Sequence, residues 1–189
     1  MLESSRYGEV IQLIMGREMS GQVLYRVAAY LVDGLMIDTG CSHTAEELLD
    51  FARREKIERV YLTHYHEDHI GACALLQKEL EIDIYANPIT ISLIHTPHQL
   101  YPYQELVWGY PEAADVEPIK ERKIITKNYR FEVMDTPGHS KDHTALIEPE
   151  LGWCFTGDLF VSEKLKVLRP EEDIEPGFHS FYIYRQGNP

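Results

Sequence analysis

The segment Thr63-His64-Tyr65-His66-Glu67-Asp68-His69-Ile70-Gly71 brings His64, His66, Asp68 and His69 together within six residues. Neutral imidazole nitrogen and carboxylate oxygen are the donors that hold zinc and other divalent metals of intermediate softness. No cysteine stands in the segment, so the donor set is nitrogen and oxygen. Zinc suits it best, and iron or manganese fit it as well. A lone histidine is more often a packed or solvated side chain than a ligand. Three histidines and an aspartate at this spacing, between a strand pattern and a helix pattern, read as one metal-binding unit. His64 and His66 are two apart, so at a strand end their rings share a side. A turn at the start of the following helix can then swing Asp68 and His69 toward the same point.

The elements that must position these groups are legible from apolar periodicity. Residues 59–63 read as a strand running into the histidines, and Ala72, Ala74, Leu75, Leu76 and Leu80 mark a helix leaving them. Residues 82–86 form another strand. Upstream, residues 8–15 read as a strand and 22–38 as a hairpin, with Asp33-Gly34 as its two-residue turn. Ser42 or Thr44 can cap a helix through about Arg54, with Leu48, Leu49 and Ala52 on one face. Strands are expected near 122–126, 130–135, 144–148 and 152–156. Hairpins interrupted by helices predict sheets covered by helices, not a doubly wound parallel sheet. Residues 97–112, rich in Pro and Tyr and containing Trp108, read as an ordered surface loop or as a lid over the site.

The chain has 189 residues, 44% of them hydrophobic and 26% charged, which suits a single domain with a sizeable core. No apolar run is long enough for a membrane span. The residues from Met1 to Arg6 lack the pattern of a signal peptide, and Cys41, Cys73 and Cys154 have no CxxC spacing. Reduced thiols in a cytoplasmic protein are the expectation. A net charge of −13 repels polyanions and argues against broad nucleic-acid binding. The expected partner is a small-molecule substrate.

The His-x-His-x-Asp-His pattern after a strand resembles the metallo-β-lactamase superfamily, and three further segments follow in that family's order. Asp38-Thr39-Gly40 is similar to its early acidic turn, Thr136-Pro137-Gly138-His139-Ser140 to its TPGHS segment, and Phe155-Thr156-Gly157-Asp158-Leu159 to its later GD segment. One short motif is weak evidence; four in order over residues 38–159 are highly specific. The resemblance implies an αββα sandwich of two mixed sheets flanked by helices, with the site at one sheet edge. It also implies that His64, His66 and His139 hold a first metal ion. Asp68 and His69 serve a second, and Asp158 bridges the two. The implied chemistry is hydrolysis by metal-activated hydroxide, with Asp68 orienting or deprotonating the water. Asp38 either shapes its turn or fixes a histidine ring, and His143 is expected to support the ligands without joining them.

The tail departs from the family. Relatives supply one more histidine after a further helix and strand, but only 31 residues follow Asp158, and His179 is their sole histidine. Pro176-Gly177 interrupts the expected helix, so the last helix and strand read as incomplete after about residue 175. His179, in a poorly matching context, is the one candidate for the missing ligand. The expectation is an incomplete second metal site in a single domain of residues 1–189, with an uncovered apolar face that pairs two chains through the tail as a homodimer. A small ester, thioester or lactone is the expected substrate. The alternatives are a phosphodiesterase or nuclease of the same fold, disfavoured by charge, and a metal-binding protein of poor catalytic power.

Overall fold

Val10–Met15 alternates half-buried and buried side chains, Ile11, Leu13 and Met15 turning inward, as a strand with one face on a core requires. This is β2 of a computed structural model that describes residues 1–95, 99–161, 172–173 and 175–176. It pairs antiparallel with β1 (Leu2–Tyr7) on one side and with β5 (Val27–Val32) on the other. The polar, exposed β1 carries no apolar alternation that would mark it as a strand in the sequence. Two short strands, β3 (Glu18–Met19) and β4 (Gln22–Val23), form a separate hairpin. The strand expected from residue 23 onward therefore breaks at 24–26. Asp33 and Gly34, both at positive φ, then turn the chain into β6 (Leu35–Ile37), as the Asp-Gly signal predicts.

From β6 the pairing becomes parallel. A short 3-10 turn (Ser42–Thr44) leads into α1 (Ala45–Glu55), which crosses over to β7 (Arg59–Leu62); α2 (Cys73–Leu80) crosses over to β8 (Asp83–Ala86). The expected Ser42 or Thr44 cap is absent: Thr44 Oγ1 donates back to the Cys41 carbonyl at 3.1 Å, stabilising the 3-10 turn. Two further helices, α3 (Pro88–Ile94) and α4 (Pro102–Trp108), precede β9 (Glu117–Pro118), which completes a sheet ordered β1-β2-β5-β6-β7-β8-β9. A second sheet of β10 (Lys123–Ile125), β11 (Arg130–Asp135), β12 (Thr144–Glu148) and β13 (Trp153–Phe155) is antiparallel throughout.

Two cores separate the layers. Leu13, Met15, Leu62 and Ile84 of the large sheet pack against Leu48, Leu49 and Phe51 of α1 and Leu76 of α2. On the opposite face Val32, Leu35, Ile37 and Tyr61 meet Phe131, Val133, Leu146 and Phe155 of the small sheet. The result is the expected sandwich of two sheets with helices. Ile94, Val107 and Trp108 place α3 and α4 on the first core as well. His179 and the segment from 177 onward, on which the dimer expectation rests, lie outside the described residues. Among those described, no helix is long and apolar enough to cross a membrane.

Candidate metal centre

Parallel strands release their following loops at one edge of the sheet. Asp38 leaves β6 there, and Thr63 with the histidine segment leaves β7. The small sheet contributes the β11–β12 loop with His139 and His143 and, beyond β13, a short 3-10 turn (Gly157–Leu159) with Asp158. The sheets are joined beside the site. Thr144 donates through N and Oγ1 to the Thr63 carbonyl at 2.9 and 3.0 Å, and its Oγ1 accepts from buried Tyr61 OH at 3.0 Å. The histidine segment does not lie on a strand or a helix, as its spacing suggests. It forms a turn held to the Asp38 loop by Thr39 N to His69 O at 2.7 Å and Gly71 N to Gly40 O at 2.8 Å. Gly71 has to be glycine, because a Cβ there would sit 2.3 Å from Ser42 N and 2.4 Å from the Cys41 carbonyl carbon.

Asp38 fixes two ring orientations at once. It lies at φ 61°, a left-handed conformation costly for a side-chain-bearing residue. Its Oδ1 accepts from Thr63 N, and its Oδ2 accepts from Thr63 Oγ1 and His69 Nδ1, all at 2.8 Å. A carboxylate only accepts, so His69 carries its proton on Nδ1 and turns Nε2 into the site. The Thr63 hydroxyl uses its one hydrogen in the bond to Asp38 and so can only accept from His64 Nδ1, 3.0 Å away. His64 Nε2 is thereby left as a bare lone pair, fully buried and without a hydrogen-bond partner. An unmet polar atom at this depth is costly unless something binds it.

The other donors face that atom. His66 Nδ1 lies 2.8 Å from His139 Nε2, and the rings of His64 and His139 sit 5.0 Å apart at nearly a right angle. Asp158 presents Oδ1 to His69 Nε2 at 3.3 Å and Oδ2 to His139 Nε2 at 3.4 Å. Two sets of convergent donors result, His64 with His66 and His139, and His64 with His69 and Asp158; within each the atoms lie within 4.8 Å of one another. Asp68 is buried in the same loop but belongs to neither set. His143 has both nitrogens engaged. Nε2 accepts from Asp158 N at 3.1 Å, so Nδ1 bears the proton and donates to Thr136 Oγ1 at 2.7 Å. Its ring thus holds the turn that carries Asp158.

The electrostatics suit a cation. Burial holds His64 well below the ordinary imidazole range, and the neighbouring His69, His66, His139 and His143 push the same way. Burial, helped by His139, lowers His143 to about 3. Burial also opposes charge on His69, but Asp158, Asp38 and Asp68 outweigh it and keep that ring protonated well above its usual range. Asp158 answers in kind: burial opposes its ionisation, yet His69 holds its carboxyl well below the usual carboxylate range. The ionised carboxylate of Asp158 thus faces His69 Nε2 across 3.3 Å, an arrangement in which a divalent cation can take the place of a proton. The neutral lone pair on His64 and the ionised Asp158 fit metal binding in both sets.

Two contacts have no counterpart in the sequence patterns. Glu172 Oε1 accepts from His139 Nδ1 at 2.6 Å across 33 residues, whereas the acidic run around it reads only as the start of a helix. Buried Glu67, the variable residue inside the histidine pattern, accepts from Gln104 Nε2 at 2.7 Å and so ties α4 to the metal-site loop. Within residues 97–112, expected as an ordered surface loop or a lid, Pro102–Trp108 is a docked helix, and its apolar Val107 and Trp108 are the signal that points to it.

A model of the metallo-β-lactamase superfamily matches residues 24–184. The chain belongs to that superfamily. It is 27% identical over 152 residues to the probable metallo-hydrolase YybB of Bacillus subtilis (strain 168), covering 80% of this chain and 64% of that protein. It is also 27% identical over 121 residues to the hydroxyacylglutathione hydrolase of Legionella pneumophila (strain Paris), covering 62% of this chain and 40% of the relative. The chain therefore spans less than two thirds of the length of these curated relatives. Among solved structures, that of TTHA1623 in a di-iron-bound form aligns with a TM-score of 0.65 and 29% identity over 82% of this chain and 79% of the other. This superfamily fold accounts for why donors from both sheets meet at a single edge.

Proposed function

We propose that this protein is a metal-dependent hydrolase of a small thioester, or of an ester or lactone of similar size, working with one or two ions. The observation that carries the reading is the pair of donor sets sharing His64, with the two oxygens of Asp158 turned one toward each. His64, His66 and His139 would hold one ion; His69 and Asp158 would hold the other, with Asp158 bridging. Zinc suits these donors, and the di-iron-bound structure it resembles keeps iron in view. Bound divalent metal at such a centre acidifies water and polarises the scissile carbonyl. The chain's own part is to hold the rings in one tautomer through Asp38 and Thr63. Asp68, buried in the same loop, would take up the water's proton.

The thioester preference is supported by the likeness to hydroxyacylglutathione hydrolase, and the acidic net charge disfavours a nucleic-acid phosphodiester. The test is elemental analysis of the purified protein, with hydrolysis assays on acyl-glutathione thioesters, lactones, aryl esters and a bis-aryl phosphodiester. Bound zinc or iron at one to two equivalents and turnover of a thioester are expected, with both lost in His64→Ala/His66→Ala. Metal content unchanged in the double variant would sink the site assignment. Turnover confined to the phosphodiester would replace the substrate class.

A further inference from the structure

Glu172 and Asp173, beyond the small sheet in sequence, lie against its ligand loop. Glu172 Oε1 lies 2.6 Å from His139 Nδ1, with the two side chains only 11% and 12% exposed. One residue on, Asp173 N donates to the Gly138 carbonyl at 2.8 Å, so backbone and side chain grip the same loop from one side. The other ring nitrogen, His139 Nε2, faces His66 Nδ1 at 2.8 Å and Asp158 Oδ2 at 3.4 Å. A carboxylate on one imidazole nitrogen has three effects on the other. It confines the proton to the far side, locks the ring plane, and raises the basicity of the nitrogen left to donate. Asp38 does this for His69, and the Asp38–Thr63 relay does it for His64. Among the described residues, Glu172 is the group that does it for His139.

From this contact we infer that Glu172 is a positioning residue of the metal centre, setting the tautomer and donor strength of His139 and hence the affinity of the His64–His66–His139 set. The inference rests on the metal-centre reading above. It gives Glu172 a definite role, a carboxylate that supports an existing ligand. Glu172 touches neither substrate nor reacting atoms, and it acts only through His139.

The test is cobalt(II) titration of metal-stripped full-length protein in competition with a chromophoric chelator, read together with the visible absorption of the cobalt-loaded form. Glu172→Ala is expected to weaken the tighter cobalt site about 10- to 100-fold and to change the shape of the cobalt band, because the ring is no longer held in plane. Glu172→Gln keeps an acceptor oxygen but loses the charge, so its affinity should fall between wild type and Glu172→Ala. Glu175→Gln, an exposed neighbour, should match wild type, and the metal-free melting temperature should be the same in all four proteins. Wild-type affinity and spectrum in Glu172→Ala would overturn the inference while leaving the metal centre intact. A lower metal-free melting temperature with unchanged affinity would make Glu172 a packing residue and overturn it equally. A wild-type protein that binds no cobalt would instead bring down the metal-centre reading itself.

Discussion

Cys73 lies just behind the histidine turn, fully buried, its Sγ 3.3 Å from Thr39 Oγ1. Burial pushes its thiol up to about 12, against the opposing Thr39 hydrogen bond. Burial raises buried Cys41 as well, and the charge of Asp68 adds to it. In the unfolded chain a thiol titrates near pH 8.5, roughly its peptide value. Below that pH both states keep the proton, and the stability contribution is complete. Above it the unfolded chain releases a proton that the folded chain retains, so stability falls as pH rises toward 12. The slope is about 1.4 kcal/mol per pH unit for each such thiol. Guanidinium unfolding midpoints measured from pH 7 to 11 should therefore drop steeply above about pH 9. Cys73→Ala, although less stable at neutral pH, should drop less steeply. Parallel slopes for the two proteins would show that this thiol is not among the titrating groups.

At the level of elements, the turn after β13 decides whether Asp158 can serve both donor sets. Gly157 sits at φ 47°, and a Cβ there would come 2.7 Å from His143 Nε2 and 2.9 Å from Thr63 Oγ1. Those two atoms are the ones that hold Asp158 N and relay Asp38 to His64. Gly157→Ala therefore combines backbone strain of about 1–2 kcal/mol with displacement of the His143 ring. The expected outcome is loss of metal from the set containing His69 and Asp158. The set of His64, His66 and His139 should keep most of its ion. Elemental analysis should fall from about two ions to about one, or, if wild type holds a single ion, a second equivalent of added zinc should no longer bind. Full stoichiometry in the variant would mean that the turn can absorb a methyl group.

For the whole molecule, the donors divide between the layers. His64, His66 and His69 follow β7 of the large sheet, whereas His139 and Asp158 belong to loops of the small one. An ion bound by both groups would clamp the sandwich at its open edge and bind the folded state alone. At about 100 times the dissociation constant such binding stabilises by roughly 2.7 kcal/mol, or roughly 5–11 °C for a domain of this size. Differential scanning fluorimetry should show that gap between protein dialysed against a strong chelator and protein resupplied with zinc. The gap should shrink by more than half in His139→Ala, which removes a donor from the small sheet. Identical melting temperatures with and without metal would argue that no ion joins the sheets.

Short separations along the chain are legible without a fold. His64, His66, Asp68 and His69 are neighbours in the chain, so any fold that turns there gathers them. Asp33-Gly34 could hardly be anything but a tight turn; the strand over 130–135 follows from apolar alternation, and that over 144–148 from a short apolar run. The four ordered segments also point to the superfamily, because a site assembled from successive loops leaves its marks in chain order. Long separations are settled only by packing. Asp38 could have been a turn former or a ring holder, and it is both, because β6 and β7 run parallel and bring Thr63 and His69 under its carboxylate. His143 is expected only to support the ligands; how it does so is set by the Thr136 hydroxyl and the Asp158 amide, brought to opposite sides of its ring. Asp68, adjacent in sequence to His69, belongs to neither donor set. Glu172 meets His139 and Gln104 meets Glu67 over separations of 33 and 37 residues. No local pattern encodes such contacts, since they depend on how two sheets pack and where the chain returns across their shared edge.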